Sequence, residues 1–178
     1  VAVFDRPAVA ATLPASATHL LVLDRVNDPG NVGTLIRAAY ALGWDGVIAV
    51  EGADPWSAKV VRSSMGACLH FPIIEQSWQN FDLKAFTMND SLSAVDIGSK
   101  DNSMNIFLAE LCDNVDTYHE VNLTQPCILV IGSEAAGISE EARFALPKAR
   151  SIHVPLARNF DSLNAAMAGA IIMSEAMR

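Results

Sequence analysis

The sequence predicts an α/β domain with a mostly parallel sheet flanked by helices. Short apolar runs recur at residues 20–26, 46–50, 127–131 and 152–156, each of strand length and bounded by turn residues. Patterns of helical period with capping residues stand between and after them, and a parallel pair of strands needs such a crossover. The chain has 178 residues, 51% hydrophobic and 18% charged, which suits one domain with its own core.

Each element follows from local chemistry. Residues 20–26 (Leu-Leu-Val-Leu-Asp-Arg-Val) read as a buried strand ending at the turn Asn27-Asp28-Pro29-Gly30. Asn31 is read as the N-cap of a helix in which Leu35, Ile36, Ala39 and Leu42 repeat at helical spacing, and Gly43 ends it. Residues 46–50 form a second strand, Ser57 to Ser64 a short helix, and Leu69 to Ile74 and Ala85 to Met88 short strands. Residues 89–124 are polar and acidic, with Ile106 to Cys112 as a helical turn or two. They are expected to form an acidic insertion within a single domain spanning 1–178. Pattern returns with the strand Cys127 to Ile131, which runs into Gly132. Ser139 caps a helix whose first turn holds Glu140 and Glu141. Ile152 to Leu156 is the last strand, and Ser162 is read as the cap of a final helix rich in Ala, Gly and Met.

Composition removes several function classes. Three cysteines without a C-x-x-C pair, and four histidines without H-E-x-x-H spacing, argue against a protein metal site. No uninterrupted apolar run is long enough to span a membrane. No signal-peptide pattern is visible, and the compartment stays open between cytoplasm and organelle matrix. The formal charge of −8 opposes RNA binding at first sight. Much of the acid is concentrated, however: Asp82, Asp90, Asp96, Asp101, Glu110, Asp113, Asp116 and Glu120 face only Lys84 and Lys100 in that stretch.

Three constellations carry candidate chemistry. The first is Asn27-Asp-Pro-Gly-Asn-Val-Gly-Thr-Leu-Ile-Arg37, where Gly30 and Gly33 allow close backbone approach and Asn31 and Arg37 stand nearly two helical turns apart. Taken alone, a plain strand-turn-helix with a surface arginine is the commoner explanation. The second runs from Val130 to Ser139, a strand entering the glycine-bracketed loop Gly132-Ser-Glu134-Ala-Ala-Gly137, a good cradle for a small ligand. Glu134 is either a ligand-facing carboxylate or an exposed loop residue. The third joins Val154-Pro155-Leu156 to Ser162-Leu163-Asn164. Asn164, an amide early in an apolar helix, needs partners that a cap, the core or a substrate can supply.

In this order the three constellations resemble the signature motifs of the SpoU/TrmH branch of the SPOUT methyltransferases, from about Leu21 to the C-terminus. The resemblance implies an α/β fold with a C-terminal deep trefoil knot, an exception to the rule against knotted chains. It implies transfer of a methyl group from S-adenosylmethionine to a ribose 2′-hydroxyl of structured RNA, with ribosomal RNA favoured over transfer RNA. By motif position, Ile131, Gly132, Val154, Leu156 and Leu163 would hold the donor. Asn31, Arg37, Glu134, Ser162 and Asn164 would surround the chemistry. The family's usual glycine two residues after the Pro155-Leu156 pair is Arg158 here. Relatives pair through the last helix, so the resemblance also implies a homodimer, or a heterodimer with a related SpoU-like chain. Two readings from other classes stand beside it: a catalytically inactive SpoU-like RNA-binding or ribosome-assembly factor, and an unrelated α/β small-molecule enzyme.

Overall fold

The computed structural model describes residues 13–14, 16–82, 104–112, 115–157 and 162–178. Seven parallel strands form one sheet: β1 (His19–Asp24), β2 (Gly46–Val50), β3 (Ile73–Gln76), β4 (Asn105–Ala109), β5 (Asp116–Thr117), β6 (Cys127–Ile131) and β7 (Arg150–His153), in the spatial order β3-β2-β1-β6-β4-β7-β5. The helices are α1 (Pro29–Ala41), α2 (Ala58–Ser63), α3 (Glu140–Ala145) and α4 (Ala165–Glu175).

Alternation along the central strands explains why both faces are covered. Leu21 and Leu23 of β1, with Cys127, Leu129 and Ile131 of β6, join one core cluster together with α1, α2 and α4. Leu20 and Val22, with Ile128 and Val130, join a second cluster on the opposite face with Ala142 of α3. All five residues of β6 are buried, as a continuous apolar run in a parallel sheet requires.

Three details differ from the sequence expectations. Asp28, not Asn31, caps α1: its side chain accepts the Asn31 amide at 2.9 Å, and Pro29 occupies the first helical turn, where its missing N–H costs nothing. Asn164, not Ser162, caps α4, its side chain accepting the amides of Ala166 and Met167 at 2.9 and 3.2 Å. The apolar run at Ile106 is an interior strand, β4, rather than helical turns. It lies between β6 and β7, so both edges of its backbone are paired. Part of the stretch expected as an insertion therefore builds the sheet.

Smaller shifts occur elsewhere. β3 starts later than expected, after a 3-10 turn at Ala67–Leu69. β7 stops ahead of Pro155, which has no N–H for a ladder. Ala85 to Met88 and Arg158 lie outside the described residues.

Helix α4 is apolar on every side, yet only Ala166, Gly169, Ile172 and Met173 are buried in it. Gly169 is the point of closest approach: a Cβ there would stand 2.5 Å from Leu35 of α1 and 3.4 Å from Ile131 of β6. The chain thus leaves β7 on the far side of the sheet and returns to lie on α1. Met167, on the opposite side of α4, is 59% exposed.

Candidate active site

The loops that follow β1, β6 and β7 all leave the same edge of the sheet, because the three strands are parallel. In such sheets the crevice beyond the strand ends is where ligands bind. Here the three constellations meet there.

Asn31 is the junction. Its Nδ2 donates to Oε1 of Glu134 at 2.5 Å, and its Oδ1 accepts from Nδ2 of Asn164 at 3.0 Å. Asn164 in turn holds the first amides of α4. Every donor in this series points the same way, from the α4 N-terminus through two amides to a carboxylate. Such aligned hydrogen bonds polarise one another. One residue from each motif is therefore fixed against the next, and one Glu134 oxygen is committed to the protein.

The loop carrying Glu134 is tightly wound. The Ser133 and Gly137 backbones exchange hydrogen bonds at 3.1 and 2.8 Å, and Ser133 Oγ accepts the amides of Ala135 and Ala136, both at 3.3 Å. Gly137 has φ +68°, a conformation glycine adopts without penalty. Gly132 is obligatory for a different reason: a Cβ there would stand 2.3 Å from the Gly137 carbonyl oxygen and 2.6 Å from the Ile138 nitrogen.

Asp24, at the end of β1, anchors the far end of this loop. It is fully buried, and it accepts from Trp78 Nε1 at 2.7 Å and from the Ser139 amide and hydroxyl at 2.6 and 2.9 Å. Three donors compensate a carboxylate that burial would otherwise make costly.

Beneath the Asn31–Glu134 bridge lies a cavity of about 660 Å³, within the usual range for small-molecule sites. All five residues expected to hold a donor line it: Ile131, Gly132, Val154, Leu156 and Leu163. Glu134, Ser162 and Asn164 line it as well. Arg37 does not. It is exposed on α1, outside the cavity wall, and makes no hydrogen bond or ion pair among the described residues.

The sequence reading missed the floor supplied by β4 and its neighbours. Ala109, Glu110, Leu111 and Cys112 line the cavity beside Arg143 and His153. Arg143 grips Glu110 through two nitrogens at 3.1 and 2.5 Å, and Ser151 Oγ donates to the same carboxylate. Burial pushes the Glu110 carboxyl up, but the Arg143 and Ser151 hydrogen bonds outweigh it and hold the group below the usual range. Only the assignment of a strand to Ile106 through Ala109 would have brought Glu110 to the cavity. Asp24 carried a signal in sequence, a carboxylate closing an apolar strand. Among the described residues no His, Cys, Asp and Glu cluster suits a metal ion.

The profile of the SpoU rRNA Methylase family matches residues 18–174. The chain belongs to that family. Among its relatives, a mitochondrial rRNA methyltransferase 3 of Xenopus tropicalis is 30% identical over 94% of this chain and 49% of its own length. The 23S rRNA (guanosine(2553)-2′-O)-methyltransferase RlmP of Bacillus subtilis is 31% identical over 89% of this chain and 58% of its own. The crystal structure of the AdoMet-bound rRNA methyltransferase from Sinorhizobium meliloti superimposes with a TM-score of 0.72 at 31% identity, covering 89% of this chain and 55% of that one. This SpoU chain thus spans about half the length of the curated relatives it matches.

Proposed function

We propose that this SpoU domain transfers a methyl group from S-adenosylmethionine to a ribose 2′-hydroxyl of RNA, with ribosomal RNA the favoured class. The observation that carries the reading is the Asn164–Asn31–Glu134 series at the lip of the cavity. It joins the three motifs where a donor below and a nucleotide above would meet. The names of the relatives, which are ribosomal RNA 2′-O-methyltransferases or rRNA methyltransferases, support the choice of substrate.

The cavity suits the donor. Its wall carries Ile131, Val154, Leu156 and Leu163 to cover an adenosine, and strand-end backbone to accept its polar edge. The buried Nδ1 of His153, also in the wall, has no partner among the described residues and offers one polar contact. S-adenosylmethionine would supply a sulfonium methyl, an electrophile that needs no activation by the protein.

The protein's task is then to place and deprotonate a hydroxyl. As the 2′-oxygen took the methyl group that the donor would supply, with its sulfur as the leaving group, the hydroxyl proton would pass to a nearby acceptor. Glu134 fits that acceptor's place. Asn31 holds one carboxylate oxygen and leaves the other available at the cavity mouth. Ser162 lies within the same lining. Arg37 stands outside the wall with an unpaired guanidinium, which suits a clamp on the phosphate flanking the target ribose. A guanidinium is also too weak a base for proton removal.

The exposed side of α4, with Met167 outward and Ala170 and Ile171 half-buried, supports pairing with a second SpoU-like chain, identical or related. The return of α4 from β7 onto α1 supports the trefoil knot that the motifs imply. Calorimetric binding of S-adenosylmethionine, weakened by Leu156→Asp with folding retained, tests the placement. Unchanged affinity would overturn it.

A further inference from the structure

The chain is acidic overall, and the unpaired cations among its described residues are few. Among the described residues, Arg25 is bound to Glu51 and Glu141, Arg143 to Glu110, Arg150 to Asp116 and Arg178 to Glu175. Lys59 has a loose, exposed contact of 3.5 Å with Asp28, a kind of pair worth little in water. Three cations among the described residues have no acidic partner: Arg37, Arg62 and Lys148. Two of these sit on one pair of helices, α1 and α2.

The packing of those helices sets where the two arginines lie. At Gly33 the backbones nearly touch, since a Cβ there would stand 1.9 Å from Ser63 Oγ and 2.8 Å from the Val60 carbonyl. Ser63 Oγ donates to the Pro29 carbonyl at 3.0 Å, and further on Tyr40 meets Phe71 edge to face at 5.7 Å. Residues 29, 33 and 40 therefore meet 63, 60–64 and 71 in the same order, and the two segments run side by side. Arg37 falls between Gly33 and Tyr40 on α1 and is exposed, and Arg62, also exposed, precedes Ser63 on α2; in the turn that follows, residues 64–66, Ser64 is buried and Met65 points outward. Met65 is 75% exposed at its tip, and a Cβ on Gly66 would meet nothing within 4 Å, so the turn is open.

We propose that Lys59, Arg62 and Arg37, exposed on the paired helices α2 and α1, form a strip that is a track for the phosphate backbone of the RNA substrate, with Arg62 a second phosphate ligand beyond the nucleotide at Glu134. The proposal rests on the methyl-transfer reading and extends it away from the cavity. The nearby carboxylates leave the two arginines unpaired: Asp28 contacts Lys59 only loosely, Asp54 accepts the Trp56 amide, and neither forms an ion pair with Arg37 or Arg62. Arg62 is exposed and unpaired among the described residues, so its removal should cost little stability beyond its favourable place in the last turn of α2.

The test is the binding of a labelled RNA hairpin by the parent chain and by Arg62→Gln over a range of potassium chloride concentrations, alongside transfer to transcribed ribosomal RNA. Arg62→Gln should lower the slope of log affinity against log salt by about 0.7 to 0.9. It should raise the KM for RNA several-fold with kcat and S-adenosylmethionine affinity unchanged, while Arg62→Lys keeps most of the slope. An unchanged slope and KM in Arg62→Gln, with an active parent, would overturn the strip and leave the functional reading intact. So would hairpin displacement by polyglutamate as effective as by RNA, which would assign the strip to an acidic protein. A parent that neither binds the hairpin nor transfers methyl would instead sink the functional reading on which the strip depends.

Discussion

Asn31 and Glu134 are 103 residues apart in the chain, yet the amide of one donates to the carboxylate of the other at 2.5 Å. Asn31 is free to do so because Asp28 has taken over the capping of α1. Asn31→Ala should therefore leave the helix intact and release Glu134. Misplacing a reacting group by about 1 Å costs about 100-fold in rate, so kcat should fall by about that factor while S-adenosylmethionine affinity holds. Single-turnover kinetics decides it, and a rate equal to the parent's would remove Asn31 from the mechanism.

Asp24→Ala should destabilise the chain by about 3 kcal/mol, because Trp78 Nε1 and the Ser139 amide lose a charged acceptor inside the protein. Urea unfolding measures the change. A loss under about 1 kcal/mol would mean that the donors find other partners.

The readable part of this fold was its rhythm of apolar runs and turns. β1, β2 and β6 follow directly from runs of strand length, and α2 from its flanking serines. What escaped was competition between equally good local signals. Asp28 and Asn31 are both strong caps, and only Pro29 decides between them. Ser162 and Asn164 pose the same choice, decided by which oxygen reaches two free amides. β4 was lost because a short apolar run reads equally as buried strand or helix, and its strand character comes from β6 and β7 on either side. The site residues were nameable one by one from their motifs, but their hydrogen-bonded series depends on two caps that sequence placed elsewhere.

Gly132→Ala should cost about 2 kcal/mol or more, since its Cβ would meet the loop's own backbone rather than a movable side chain. Donor affinity should fall together with thermal stability. Full stability with weakened binding would show that glycine serves the ligand there and not the loop.

The Glu110–Arg143 pair predicts a pH dependence. The folded-state carboxyl lies below its usual value, so its stabilising effect is complete above the unfolded value of about 4.3 and is lost as pH falls through the lower folded value. The stability advantage of the parent over Glu110→Gln should thus be constant near neutrality and shrink on acidification. Urea midpoints between neutral and strongly acid pH test this, and an advantage that grows with acid would contradict it.

Only one cysteine should react in the native chain. Cys112 is exposed, whereas Cys68 is buried and burial pushes the Cys127 thiol up to about 12, leaving it protonated. Alkylation followed by mass spectrometry should label Cys112 first. Equal rates at all three would contradict the packing of β6.

The position of the new methyl group separates ribose chemistry from base chemistry. Ribosomal RNA incubated with the chain and methyl-labelled S-adenosylmethionine, then hydrolysed in alkali, should carry the label in dinucleotides that resist cleavage, because a 2′-O-methyl removes the hydroxyl that alkali uses. Glu134→Ala should abolish that label. Label recovered in ordinary mononucleotides would place the methyl on a base, and that result, or a label undiminished in Glu134→Ala, would rule out ribose transfer assisted by Glu134.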